Sequence, residues 1–165
     1  MSNARQLTER ARQIAQGAHQ GQQYRAGSTI LPYFEGHVAV VAGIVEDWGY
    51  DDKTVAVAYL HDVIEDTQIT AQNLLNSNIP QDVVDAVKAL TRDKQNEALA
   101  EYIARVCLIP RAVVVKFADS THNLQTTTAT KDFLEPDRYE NLRNKYEGTL
   151  SILRPIVSKP EELDG

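Results

Sequence analysis

The sequence predicts an all-α fold, one helical bundle, on three observations. Apolar residues recur every three or four positions in one segment after another, the signature of helices that each bury one face. Gly21, Gly49, Pro80, Pro110 and Pro155 punctuate those segments. The third observation is local: AYLHDVIEDT, residues 58–67, runs from an apolar stretch into His61, Asp62, Glu65 and Asp66. In a helix, Asp62 lies three and four residues before Glu65 and Asp66, and His61 lies four before Glu65, so the four share one side. The 165 residues suffice for one compact domain, assigned to 1–157, with 158–165 as a flexible acidic tail.

The elements follow in order. Leu7, Ala11, Ile14, Ala15 and Ala18 predict a first helix ending near Gly21. The next stretch, GQQYRAGSTILPYFEG, is rich in Gly, Pro and polar residues and reads as an irregular loop. Val38, Val41, Ala42, Val45 and Trp48 give a second helix that breaks at Gly49, with His37 at its mouth. Thr54 to about Glu65 is apolar on nearly every side, the pattern of a central helix. Its TVAVAYL, like the later RAVVVKFA, is β-branched enough to pass for a buried parallel strand, which keeps an α/β arrangement as the alternative. Pro80 reads as a first-turn proline ahead of Val83, Val84, Val87 and Leu90. Leu99, Tyr102, Ile103 and Val106 mark another helix. After Pro110 comes the segment with Asp119, His122 and Asn123, and Tyr139, Leu142, Tyr146, Leu150 and Leu153 mark a long last helix.

A formal net charge of −6 argues against a surface that grips nucleic-acid backbone, so any polyanion must be met locally by a metal and a few placed cations. No apolar run approaches the ~20 residues of a membrane span, and the polar start MSNARQLTER lacks the apolar core of a secretory signal, making a cytoplasmic location the default. The single Cys107, in YIARVCLIP, reads as part of a buried helix face rather than as a reactive thiol.

Packed carboxylates beside a buried helix repel one another unless a cation neutralises them. Two imidazoles and two carboxylates make a mixed nitrogen and oxygen set suited to a divalent transition metal. His37, the adjacent His61 and Asp62, and Asp119 come from three separate predicted helices that a bundle can aim inward.

The order His37, His61-Asp62, Asp119 resembles the HD-domain metal-dependent phosphohydrolases. HDVIEDT and VKFADSTHNL resemble, more narrowly, the hydrolase domain of RelA/SpoT-type alarmone enzymes and their small stand-alone relatives, over roughly residues 5–153. The resemblance implies an HD-domain helical bundle in which His37, His61, Asp62 and Asp119 hold one divalent ion, most often manganese. Glu65 and Asp66 then flank the attacking water and assist its deprotonation. The implied reaction removes the 3′-pyrophosphate from guanosine tetra- or pentaphosphate. Asn123 matches a nucleotide-contacting residue that reaches the ribose, and Arg25 a basic residue that lies against guanine or its phosphates.

Two departures stand out. Relatives read Arg-Lys-Asp-Gly-x-Pro-Tyr before the first His, whereas this chain reads YRAGSTILPYFEGH, longer between Gly27 and Pro32 and without lysine beside Arg25. Ser120 stands where relatives carry a cation, for which Lys116, Lys131, Arg138 and Arg143 are the candidates to compensate. A phosphohydrolase acting on another nucleotide or phosphorylated metabolite is therefore the second reading, and a non-catalytic nucleotide sensor the third. His19 and His122 read as structural or hydrogen-bonding histidines, and Tyr146 at most borders the pocket.

Overall fold

A computed structural model describes residues 3–163. The fold is all-α, with one two-stranded sheet. Both β-branched segments are helical, which settles the strand alternative: TVAVAYL lies in α3 (Asp52–Leu60) and RAVVVKFA in α8 (Pro110–Ala129).

Helix α3 is the axis of the bundle. Thr54, Val55, Ala56, Val57, Ala58 and Leu60 are all buried, so it needs neighbours on every side. It finds them in α1 (Asn3–Ala18), α2 (Ala39–Asp47), α6 (Gln81–Leu90) and α8. Asp51 starts it, its carboxylate accepting from the Thr54 backbone N–H at 2.9 Å. The short α4 (Val63–Asp66) and α5 (Ala71–Asn76) lead to α6, where Pro80 is the capping residue, one position before the first turn assigned to it. Helix α7 (Leu99–Val106) follows, and α9 (Pro136–Leu153) closes the bundle by packing along α8.

Three details differ from the sequence expectation. The stretch read as loop contains an antiparallel hairpin, β1 (Gln23–Ala26) with β2 (Thr29–Pro32), in the register Tyr24 with Leu31 and Arg25 with Ile30. Gly27 turns it with a φ of +63°, a conformation that favours glycine. The second helix opens with a π-helical turn, Phe34–Val38, in which His37 is buried. The hairpin rests on this turn so closely that a Cβ on Gly36 would lie 3.0 Å from Leu31 Cβ and 3.2 Å from Tyr24 Cβ. Finally, the continuous helix expected through Glu65 is interrupted at His61 and Asp62, between α3 and α4.

In the segment assigned as a tail, Tyr50 donates to the Ser158 carbonyl at 2.7 Å and Arg111 to the Leu163 carbonyl at 2.8 Å. Among the described residues no helix is long and apolar enough to cross a membrane.

Candidate active site

Four of the predicted residues converge at the floor of a cleft. His37 comes from the π turn, His61 and Asp62 from the break between α3 and α4, and Asp119 from the middle of α8. The Nε2 atoms of His37 and His61 lie 3.3 Å apart. Asp119 Oδ1 is 3.0 Å from the first and 3.6 Å from the second, and Asp62 Oδ2 is 3.5 and 3.0 Å from them. With bonds of about 2.1 Å, neighbouring ligands on a tetrahedral or octahedral ion lie roughly 3.0–3.5 Å apart. The donor set and its spacing therefore fit one divalent cation.

The surroundings fix these groups. His61 Nδ1 donates to the Ala58 carbonyl at 2.6 Å, leaving Nε2 to face the cluster. His37 Nδ1 is 3.0 Å from His122 Nδ1. Burial, with the charge of His37 close by, pushes the His122 imidazole down to about 4, so His122 is neutral and accepts while His37 donates. Tyr33 donates to Asp62 Oδ2 at 2.6 Å, and Lys116 and Asn123 donate to the two oxygens of Asp119 at 2.8 and 2.9 Å. Tyr24 stacks on both His37 and His122 and donates to Asn123 Oδ1 at 2.8 Å.

The protonation of the cluster follows from competing terms. Burial disfavours charge on every member. For His37, hydrogen bonds to Asp119 and Asp62 overcome it and raise the imidazole; for His61 the Asp62 charge does so more strongly. Asp62 is held well below the usual carboxylate range because the charge of His61 outweighs its burial, and the charge of Lys116 does the same for Asp119.

Glu65 and Asp66 line the same cleft, but they differ. Glu65 is engaged: Oε1 accepts from the Arg92 backbone N–H at 2.7 Å and Oε2 pairs with Lys94 at 3.1 Å. The Asp66 carboxyl is paired with no cation among the described residues, and partial burial plus the charges of Asp62 and Glu65 push it up to about 6 against the weaker pull of Lys94.

The cleft, about 250 Å³, shares Tyr24, Asn123 and Tyr146 with an adjoining basin of about 460 Å³. Arg25 lies in that basin beside Arg138 and Phe133, separate from the four-residue cluster. Of the compensating cations considered, Lys116 enters the cleft, Arg143 is paired with Glu140 and Glu147, and Lys131 sits over the Tyr139 ring.

Sequence reasoning gave no role to Tyr24, Tyr33 or Lys145, all of which line the cleft. The tyrosines carried a faint signal, as the large side chains on either side of the hairpin. Lys145 carried none.

Residues 11–142 match the HD domain family. The chain is 31% identical to a GTP pyrophosphokinase of Streptomyces coelicolor over 96% of its own length and 18% of that protein's. It is 33% identical to the bifunctional (p)ppGpp synthase/hydrolase SpoT of Escherichia coli over 88% of its own length and 20% of that protein's. The chain thus spans about a fifth of the curated relatives it matches. Its fold superposes on a solved metazoan ortholog of SpoT, described as hydrolysing ppGpp, with a TM-score of 0.79, 24% identity and coverage of 94% of this chain and 90% of the other.

Proposed function

The chain belongs to the HD-domain family, and from that premise we propose that it is a metal-dependent phosphohydrolase that removes the 3′-pyrophosphate from guanosine tetra- or pentaphosphate. The observation that carries the reading is the convergence of His37, His61, Asp62 and Asp119 at cation-ligand spacing, at the floor of a cleft that opens toward Arg25. The ppGpp hydrolysis ascribed to the E. coli relative and to the metazoan protein supports the substrate class.

In this reading the four residues hold one divalent ion, manganese by the family resemblance. When bound, it supplies Lewis acidity to a phosphoryl oxygen and to the attacking water. The chain's own residues do the rest. Asp66, with an acidity near neutrality and no paired cation among the described residues, takes the proton of the water as it attacks the phosphorus on the 3′ oxygen. Glu65, held by Lys94 and the Arg92 backbone, stands beside Asp66 and keeps that proton affinity raised. The bond between phosphorus and the 3′ oxygen breaks, that oxygen ends protonated, and GDP or GTP leaves with pyrophosphate. Lys116 holds the outer oxygen of Asp119 so that the inner one stays aimed, and Tyr33 donates to the cluster-facing oxygen of Asp62 and fixes its position.

Asn123 donates one amide hydrogen to Asp119 and keeps the other for the ribose, while Arg25 meets the base or its phosphates in the adjoining basin. The hairpin that carries Arg25 favours a second reading, the same chemistry on another phosphorylated nucleotide.

The test is pyrophosphate release from guanosine and adenosine 3′-pyrophosphates, ordinary nucleotides and simple phosphoesters, with manganese present and then chelated. Metal-dependent cleavage of the guanosine compounds is expected. Cleavage confined to another member of the panel transfers the mechanism to that substrate, and no cleavage with any divalent metal refutes the enzymatic reading.

A further inference from the structure

One part of the cleft gathers four cations, one of which stands apart from the carboxylates. Arg92, Lys94, Lys116 and Lys145 all line it. Lys94 is paired with Glu65 and Lys116 with Asp119. Among the described residues Lys145 has no carboxylate within ion-pair distance; its ammonium lies 5.3 Å from the Tyr146 ring centroid. It is close enough to the others that, after burial, the charges of Lys116, Arg92 and Lys94 lower its proton affinity, with Asp119 pulling the opposite way. An ammonium beside three other cations is stabilised when an anion enters between them.

Two buried donors on cleft-lining residues lack partners among the described residues. The Ser120 hydroxyl is fully buried, lines the cleft and makes no hydrogen bond. Arg92 uses a terminal nitrogen on the Glu97 carbonyl at 3.2 Å, while its buried Nε is unpaired. Leaving such groups unsatisfied costs about 1–3 kcal/mol each. Helical spacing brings the set together. Ser120 is one turn beyond Lys116 on α8, Thr149 is one turn beyond Lys145 on α9, all four line the cleft, and the two helices pack along each other.

We propose that Lys145, with the Ser120 hydroxyl and Arg92, forms a second phosphate subsite that receives the substrate phosphate one removed from the scissile phosphorus. The ligand chemistry is a phosphoanhydride, and the subsite selects 3′-pyrophosphates over 3′-monophosphates. This rests on the phosphohydrolase reading above for its orientation, but the subsite is testable without turnover.

The experiment is calorimetric titration of the full, manganese-loaded chain with inorganic pyrophosphate and with inorganic phosphate. It compares the parent, Lys145→Met, Lys145→Arg and the control Lys131→Met, beside KM and kcat for guanosine tetraphosphate. Lys145 is exposed along part of its length, so its replacement leaves the core intact. Lys145→Met should weaken pyrophosphate binding by about tenfold and leave phosphate binding within about twofold, with Lys145→Arg restoring most of the loss. KM should rise by a similar factor with kcat retained. Pyrophosphate binding that depends on Lys145 in a protein that does not cleave guanosine tetraphosphate upholds the subsite and overturns the assigned substrate. Equal pyrophosphate affinity in the parent and Lys145→Met, or none in the parent, overturns the subsite whatever the turnover.

Discussion

Replacing His122 with phenylalanine should weaken manganese binding although His122 is not one of the four converging residues. The reason lies in the 3.0 Å contact between His122 Nδ1 and His37 Nδ1. His122, neutral because its imidazole is pushed down to about 4, accepts the proton of His37 Nδ1 and so presents His37 Nε2 to the cluster. Phenylalanine keeps the stacking against Tyr24 and His37 but offers no acceptor. A buried N–H left unpaired costs about 1–3 kcal/mol, which at 1.36 kcal/mol per decade is roughly five- to 150-fold in affinity. The usual loss on removing such an outer partner, about 10–100-fold, falls inside that range. Calorimetric titration of metal-free protein with manganese measures it directly. His122→Gln, which can still accept, should recover most of the affinity. A His122→Phe protein that is folded and binds manganese within about twofold of the parent would refute the tautomer-holding role.

Three further predictions concern protons. In metal-free protein His37 and His61 are raised, so their contribution to stability is fully present below the ordinary imidazole pKa and is lost as pH climbs through the raised values. Asp62 and Asp119 are lowered, so theirs is present above the ordinary carboxylate pKa and lost as pH falls through the lowered values. Melting temperature without metal should therefore peak on the acid side of neutrality. Manganese must displace the imidazole protons, so its affinity should tighten with rising pH, by up to about tenfold per unit for each proton released; a pH-independent affinity would contradict this. If Asp66 accepts the proton of the water, kcat/KM should climb through pH of about 6 and Asp66→Asn should lose about 10²–10⁴-fold with metal affinity preserved. Equal loss of metal binding in that variant would reassign Asp66 to the ion.

Most of the bundle was legible because a buried helix writes its face into the sequence every three or four residues, as in Val83, Val84, Val87 and Leu90. The His-Asp pair was legible because chemistry restricts which side chains can hold a cation. The hairpin was not. Its strands are four residues long and β2 is exposed throughout, so no apolar alternation announces them. The break at His61 was equally silent, since His61 and Asp62 keep near-helical backbone angles. The outer partners were illegible for another reason: Tyr24 meets Asn123 across 99 residues and His37 meets His122 across 85, and no local pattern encodes such pairs.

The order in which the chain is written has a consequence for how the cleft comes into being. His37, His61, Asp62 and Asp119 all precede residue 120, whereas Lys145, Tyr146 and Thr149 belong to α9, the last long helix. During synthesis the floor of the cleft is therefore complete in sequence before its far wall exists. A chain interrupted in the exposed 131–133 turn retains every residue of the floor and none of the α9 wall. The cleft cannot be enclosed until α9 has been made, and a chain that stops short of that helix has nothing on that side with which to discriminate among ligands.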